Sequence, residues 1–147
     1  MGRPRAGEVA LISRSDGTNV ALICHSDAGC ARQNPLHKPH TEEQPLDLAA
    51  TGTAAITVAG VVALERLTLN SPPLEGVVLR YGQLYGPGTW NTAQSDPVPV
   101  HVDAAAYAAL LAARSDRTGI FNIIEERGEV SAEKARRELG WHAAFRL

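Results

Sequence analysis

Leu79-Arg80-Tyr81-Gly82-Gln83-Leu84-Tyr85-Gly86-Pro87-Gly88 decides the fold of this chain. It closes the run Gly76-Val77-Val78-Leu79-Arg80, nearly continuous in apolar residues, which is the pattern of a strand buried on both faces of a parallel sheet. The run breaks abruptly into a loop of glycines, proline and tyrosines. A strand that ends in such a loop is where ligands meet α/β sheets.

Upstream, Ala54-Ala55-Ile56-Thr57-Val58-Ala59-Gly60-Val61-Val62-Ala63-Leu64-Glu65-Arg66-Leu67 predicts a helix over Thr53–Leu69, with Thr51 or Thr53 as N-cap. Ile56, Ala59, Ala63 and Leu67 fall on one face, widened by Val58, Val62 and Leu69, so the helix is expected to meet protein on more than one side. Ala55, Ala59, Gly60 and Ala63 would let a second helix come close. That face either packs on the sheet or forms a dimer seam. Asn70-Ser71-Pro72-Pro73 stops the helix, because proline cannot continue it. Helix, break and buried strand make one half of an α/β repeat.

Downstream, Pro97-Val98-Pro99-Val100-His101-Val102 reads as a short extended segment, its prolines tolerable at an edge or a strand start. Asp103 is the expected cap of the Ala/Leu helix Ala104–Arg114. Gly119-Ile120-Phe121-Asn122-Ile123-Ile124 is a second buried-strand run. Ser131 is expected to cap a last helix, Ala132–Leu139, with Gly140 ending it where φ > 0 is needed.

The N-terminal part is less regular. Glu8–Ser13 and Asn19–Cys24 are short apolar runs separated by Ser15-Asp16-Gly17-Thr18, which predicts a strand-turn-strand hairpin. Ser26–Gln44 has neither period and reads as loop or disorder. Cys24, His25, Cys30, His37 and His40 fall inside 17 residues, but the C-x5-C-x6-H-x2-H spacing departs from compact zinc fingers, and no metal site is expected. The organisation is therefore a poorly defined segment 1–45, a hairpin plus loop, followed by an α/β domain over 46–147.

Composition narrows the class. The chain has 147 residues, 44% of them apolar and 20% charged, with a formal net charge of −2, which suits one globular domain and gives no basic footprint for nucleic acid. Aromatics are 5%, so large side chains for a core are few. Ala54–Leu64, the longest apolar stretch, is interrupted by Thr57 and Gly60 and falls short of the ~20 residues of a membrane span. No apolar h-region of a signal peptide follows Met1-Gly2-Arg3-Pro4-Arg5, and a cytoplasmic protein without membrane attachment is expected.

Val78–Gly88 resembles the LR-x-x-N-V-Y-G-P-G stretch of the NAD-dependent epimerase/dehydratase family, the extended short-chain dehydrogenase/reductases. Three further segments keep that family's order. Pro99–Ala105 resembles its H-V-D-D-A-A, Gly119–Ile123 its G-x-Y-N-I, and Ser131–Trp141 its S-x-x-K-x-x-x-x-L-G-W. The resemblance implies a Rossmann-like α/β fold, incomplete here because the nucleotide-binding half is missing. It implies NAD or NADP as cofactor. It places Tyr81 and Gly82 at the cofactor and Gln83 and Tyr85 at the substrate, although both tyrosines also read as core residues and Gly86-Pro87-Gly88 as a turn.

The catalytic parts are absent from this pattern. The first 75 residues contain no G-x-x-G-x-x-G to receive a pyrophosphate. No tyrosine is followed four residues later by lysine. With Glu65 matched to the family's glutamate, Thr57 and Val61 occupy the Tyr and Lys places, and neither titrates near neutral pH. Only Thr89–Asp96 separates Gly88 from the next segment, so the substrate cover is short. Ala104 and Ala143 also depart from the family's second Asp and its proline.

The expectation is a truncated epimerase/dehydratase-like protein with no catalytic residues of its own, inactive alone and binding no cofactor in isolation. Its partner would be a second copy or a separately encoded Rossmann half. The alternative is a non-catalytic binding or dimerisation protein built on the remnant fold.

Overall fold

The computed structural model describes residues 8–13, 19–25, 39–94, 98–128 and 130–147. In chain order the elements are β1 (Glu8–Ser13), β2 (Asn19–His25), α1 (Gly52–Leu69), β3 (Glu75–Tyr81), β4 (Gln83–Tyr85), β5 (Pro99–His101), α2 (Val102–Arg114), β6 (Gly119–Ile123) and α3 (Glu133–Leu139). The fold is α/β.

β1 and β2 pair antiparallel, from Glu8 opposite Cys24 to Ser13 opposite Asn19, in agreement with the predicted hairpin. The Ser15–Thr18 turn lies outside the described residues, as do Cys30, His37 and most of the Ser26–Gln44 loop. β2 runs parallel to β3 and β3 parallel to β6, so one sheet has the order β1-β2-β3-β6. β4 and β5 form a second, two-stranded parallel sheet. The sequence read Gln83–Tyr85 as loop; three residues carry too little pattern to announce a strand, and the pairing comes from β5, distant in sequence.

β3 organises the layers because its side chains alternate between two faces. Val77, Leu79 and Tyr81 enter the main core with Ala104, Ala105, Ala108 and Ala112 of α2, Phe121 and Ile123 of β6, Ala135 and Leu139 of α3, and Trp141. The other face meets α1. There Arg80 pairs with Glu65, and a Cβ at Gly76 would stand 2.3 Å from the Thr68 carbonyl oxygen. α1 and α2 therefore cover opposite faces of β3.

The stripe predicted for α1 is corrected by this arrangement. Val58, Val61, Glu65 and Thr68 are the buried positions, whereas Ile56 is 74% and Leu67 60% exposed. Apolar residues surround the helix so evenly that hydrophobicity does not select a face. The choice is made by the ion pair and by the close approach that Gly76 permits. α1 is long and apolar enough to cross a membrane by length and composition, but it packs on β3 through the side that carries Glu65.

The starts of all three helices depart from the sequence expectation. Thr51 is at the N-cap of α1 in extended backbone but makes no side-chain cap bond. For α2 the cap is His101, not Asp103: Asp103 N–H donates to His101 Nδ1 at 3.2 Å. The helix starts at Val102, directly after β5, so Asp103 falls inside the first turn, where its charge suits the positive end of the dipole. α3 begins one residue later than expected, at Glu133, with Ala132 and not Ser131 at its N-cap, because Glu126 holds both the Ser131 hydroxyl and the Ala132 N–H just outside the helix. Ser131 Oγ accepts from Glu133 N–H at 3.2 Å, and Gly140 closes the helix at φ 67°.

Candidate functional site

At Gly82 the chain passes from the main sheet into the small one. Gly82 N–H donates to Ile123 O at 3.1 Å, Gln83 N–H donates to Val98 O at 2.7 Å, and a Cβ on Gly82 would lie 2.3 Å from that same Val98 oxygen. Glycine is required here by close backbone packing. Tyr81, just before it, is 8% exposed and donates its hydroxyl to Ala105 O at 2.9 Å, tying β3 to the first turn of α2. Gln83 holds its place through the backbone and leaves its side chain exposed.

Tyr85, at the end of β4, is the sequence-selected residue that the fold places among polar groups. Its hydroxyl donates to Glu125 Oε1 at 2.7 Å, and its ring meets the His101 ring edge-on, centroids 5.1 Å apart. Arg146 Nη2 approaches the Tyr85 oxygen at 3.2 Å and Glu125 Oε1 at 3.3 Å. His101 N–H also donates to Glu125 Oε1, at 3.3 Å, while Gln94 Nε2 donates to Oε2 and Arg127 Nη2 to Gln94 Oε1. Asp103 Oδ2 accepts from Leu147 N–H at 3.2 Å.

The cluster thus gathers the ends of β4 and β5, the residues following β6, and the C-terminal segment. Burial, and then the Glu125 carboxylate, push the Tyr85 hydroxyl above its ordinary value of 10.0. At neutral pH Tyr85 is therefore a neutral donor held on a carboxylate, suited to fixing geometry and unsuited to supplying a tyrosinate. Gly86 is shaped by the same cluster: its φ is 111°, and a Cβ there would meet His101 Nε2 at 2.7 Å. From Gly86 the loop closes on itself, with Gly86 N–H on Asn91 O at 2.8 Å and Thr89 Oγ1 on Gly86 O at 2.8 Å.

Glu125 and Arg146 were not selected by the sequence reading, and His101 entered it only inside a motif. A signal for Glu125 exists, since it is the first charged residue after the Gly119–Ile124 run and so stands at a strand end. Arg146 carries no such signal. Thr57 and Val61 are apart from the cluster, on α1. The Thr57 hydroxyl donates to its own helix at Thr53 O, and Val61 is buried beside Val58 and Leu46. Among the described residues no three His, Cys, Asp or Glu converge in a group that could hold a metal.

A curated protein matches part of this chain. It is 36% identical over 113 residues to a protein named 3-diazoavenalumate denitrifying reductase, from a Streptomyces species. The chain is similar to a reductase. The match takes in 63% of this chain and 36% of that protein, so the chain spans about a third of its relative's length. No family model and no solved structure matches.

Proposed function

We propose that this chain is an oxidoreductase-related, NAD(P)-dependent epimerase/dehydratase-like α/β unit of Rossmann type, which contributes the substrate-side strand ends and does not transfer hydride alone. The buried Glu65–Arg80 pair carries the reading. Arg80 belongs to the Leu79–Gly88 stretch and Glu65 to the helix matched with the family's catalytic helix, and they join at 2.7 Å. The pair supports the match that puts Thr57 and Val61 where proton transfer needs tyrosine and lysine. The partial likeness to a reductase agrees with the class.

In this reading Tyr85 belongs to the substrate side, together with Glu125 and His101. Tyr81 and Gly82 contribute to a nicotinamide crevice only by shaping its wall, since the Tyr81 hydroxyl is engaged with Ala105 and the space beside Gly82 is filled by Val98. The α2 N-terminus carries Asp103 in its first turn, which disfavours a pyrophosphate there. The chain alone is therefore proposed to hold neither NAD nor NADP. Calorimetric titration with each should give no heat of binding; a micromolar dissociation constant would overturn this account. Tight cofactor binding on mixing with a separately produced Rossmann half would support the partner expected for it.

A second reading, a dimerisation or binding protein, is favoured by the outer side of α1. Ile56 and Leu67 project there beside a groove of about 400 Å³ lined by Leu48, Ala55, Ala59 and Val62. Exposed apolar surface of this kind seeks a partner. Light scattering decides it, because a stable monomer at high concentration removes the self-association this reading requires.

A further inference from the structure

We propose that one buried water molecule joins Arg80 to Asn122 on the α1 side of the main sheet. Arg80 is 3% exposed and Asn122 1%. Arg80 spends Nε and Nη2 on Glu65, at 2.7 and 2.8 Å, and its Nη1 is buried without a hydrogen-bond partner among the described residues. Asn122 is the β6 residue in register with Arg80 of β3. Registered neighbours on parallel strands leave the same face of the sheet, with backbones about 4.8 Å apart.

Asn122 Nδ2 donates to Ser131 O at 3.1 Å, which fixes the amide orientation, because the flipped amide would set Oδ1 against that carbonyl oxygen. Its Oδ1 is buried and likewise has no partner among the described residues. Two neighbouring side chains thus present one unmet cationic donor and one unmet acceptor, a combination that folded proteins rarely leave open. The group between them must accept from a guanidinium and donate to an amide oxygen. An anion cannot donate to Oδ1, and a cation is repelled by Arg80. A single water does both and is of the size that buried polar gaps hold. With it, a continuous polar track runs from Glu65 of α1 through Arg80, the water and Asn122 to Ser131, whose N–H donates to His40 O at 2.8 Å.

The test uses the full chain and one variant of it. A crystal structure resolving ordered water should show a density peak within about 2.7–3.2 Å of both Arg80 Nη1 and Asn122 Oδ1. In solution, the Asn122 side-chain amide protons should give a cross-peak to water with the sign of a long-lived bound molecule, and Asn122→Leu should abolish the density peak. A direct bond from Nη1 to Oδ1, or Nη1 satisfied by any other side chain, overturns the proposal. So does the absence of both the peak and the water cross-peak in the folded wild-type chain.

Discussion

The two faces of β3 are closed by different physics. On the α2 face, Val77, Leu79 and Tyr81 join a continuous core that includes Phe121, Ile123 and Trp141, all fully or nearly buried. On the α1 face, among the described residues, the apolar cluster is Leu46, Val58 and Val61, Val78 is buried as well, and a buried ion pair lies beside them. One strand can therefore be anchored by area on one side and by charge geometry on the other. Area stabilises in proportion to what it removes from water, whereas an ion pair mainly penalises its own disruption.

The largest expected effect on the α2 face is Phe121→Ala, which should lower unfolding free energy by about 3–5 kcal/mol through lost transfer energy and a residual cavity. Val58→Ala on the α1 face should cost about 1.5–2 kcal/mol, from ~0.8 kcal/mol per buried methylene. Chemical denaturation of the two variants measures the contrast directly, and equal losses would break it.

Arg80→Ala should cost about 3–5 kcal/mol by stranding the buried Glu65 carboxylate. The double variant Glu65→Leu with Arg80→Met should recover most of that loss, because it removes both charges and restores apolar contact. If the double variant is as unstable as the single one, the pair contributes more than an escape from its own desolvation cost.

Smaller effects sharpen the α2 side. Tyr81→Phe removes the bond to Ala105 O and should cost about 1 kcal/mol without changing the denaturant m-value. Glu126 caps the segment entering α3. Burial raises its pKa, but bonds from Arg136, Ala132 N–H and Ser131 outweigh that and hold it below the ordinary 4.5. A depressed carboxylate contributes stability above its unfolded pKa and loses it as pH falls through the folded value. Glu126→Gln should therefore reduce stability near neutral pH by less than about 1 kcal/mol, since the Arg136 pair is partly exposed. The gap between wild type and variant should close in acid, as followed by thermal melts below pH 4.5.

Legibility differed by region for physical reasons. β3 and β6 were visible because a strand buried on both faces needs an unbroken apolar run. α3 was visible because the acid in its first turn, the arginines in its last and its terminal glycine are local signals, although its N-cap falls at Ala132 and not at Ser131. The inward face of α1 was not, because its composition is apolar all round. At the candidate site, Tyr85 could be singled out through the resemblance that Val78–Gly88 carries. Its carboxylate partner stands 40 positions away and its guanidinium neighbour 61, distances that no local pattern spans.

By itself, the sequence determined the α/β class, the buried strands, the helix stops and the absence of a tyrosine–lysine pair around Thr57 and Val61, since each depends on residue types within a few positions of one another. Only the tertiary structure decided which side of α1 faces the sheet, that Leu79–Gly88 divides between two sheets at Gly82, and that Tyr85 is held by Glu125. Those outcomes rest on contacts between segments far apart in the chain, where packing distance and the pairing of buried charge choose among arrangements that local propensity leaves nearly equal.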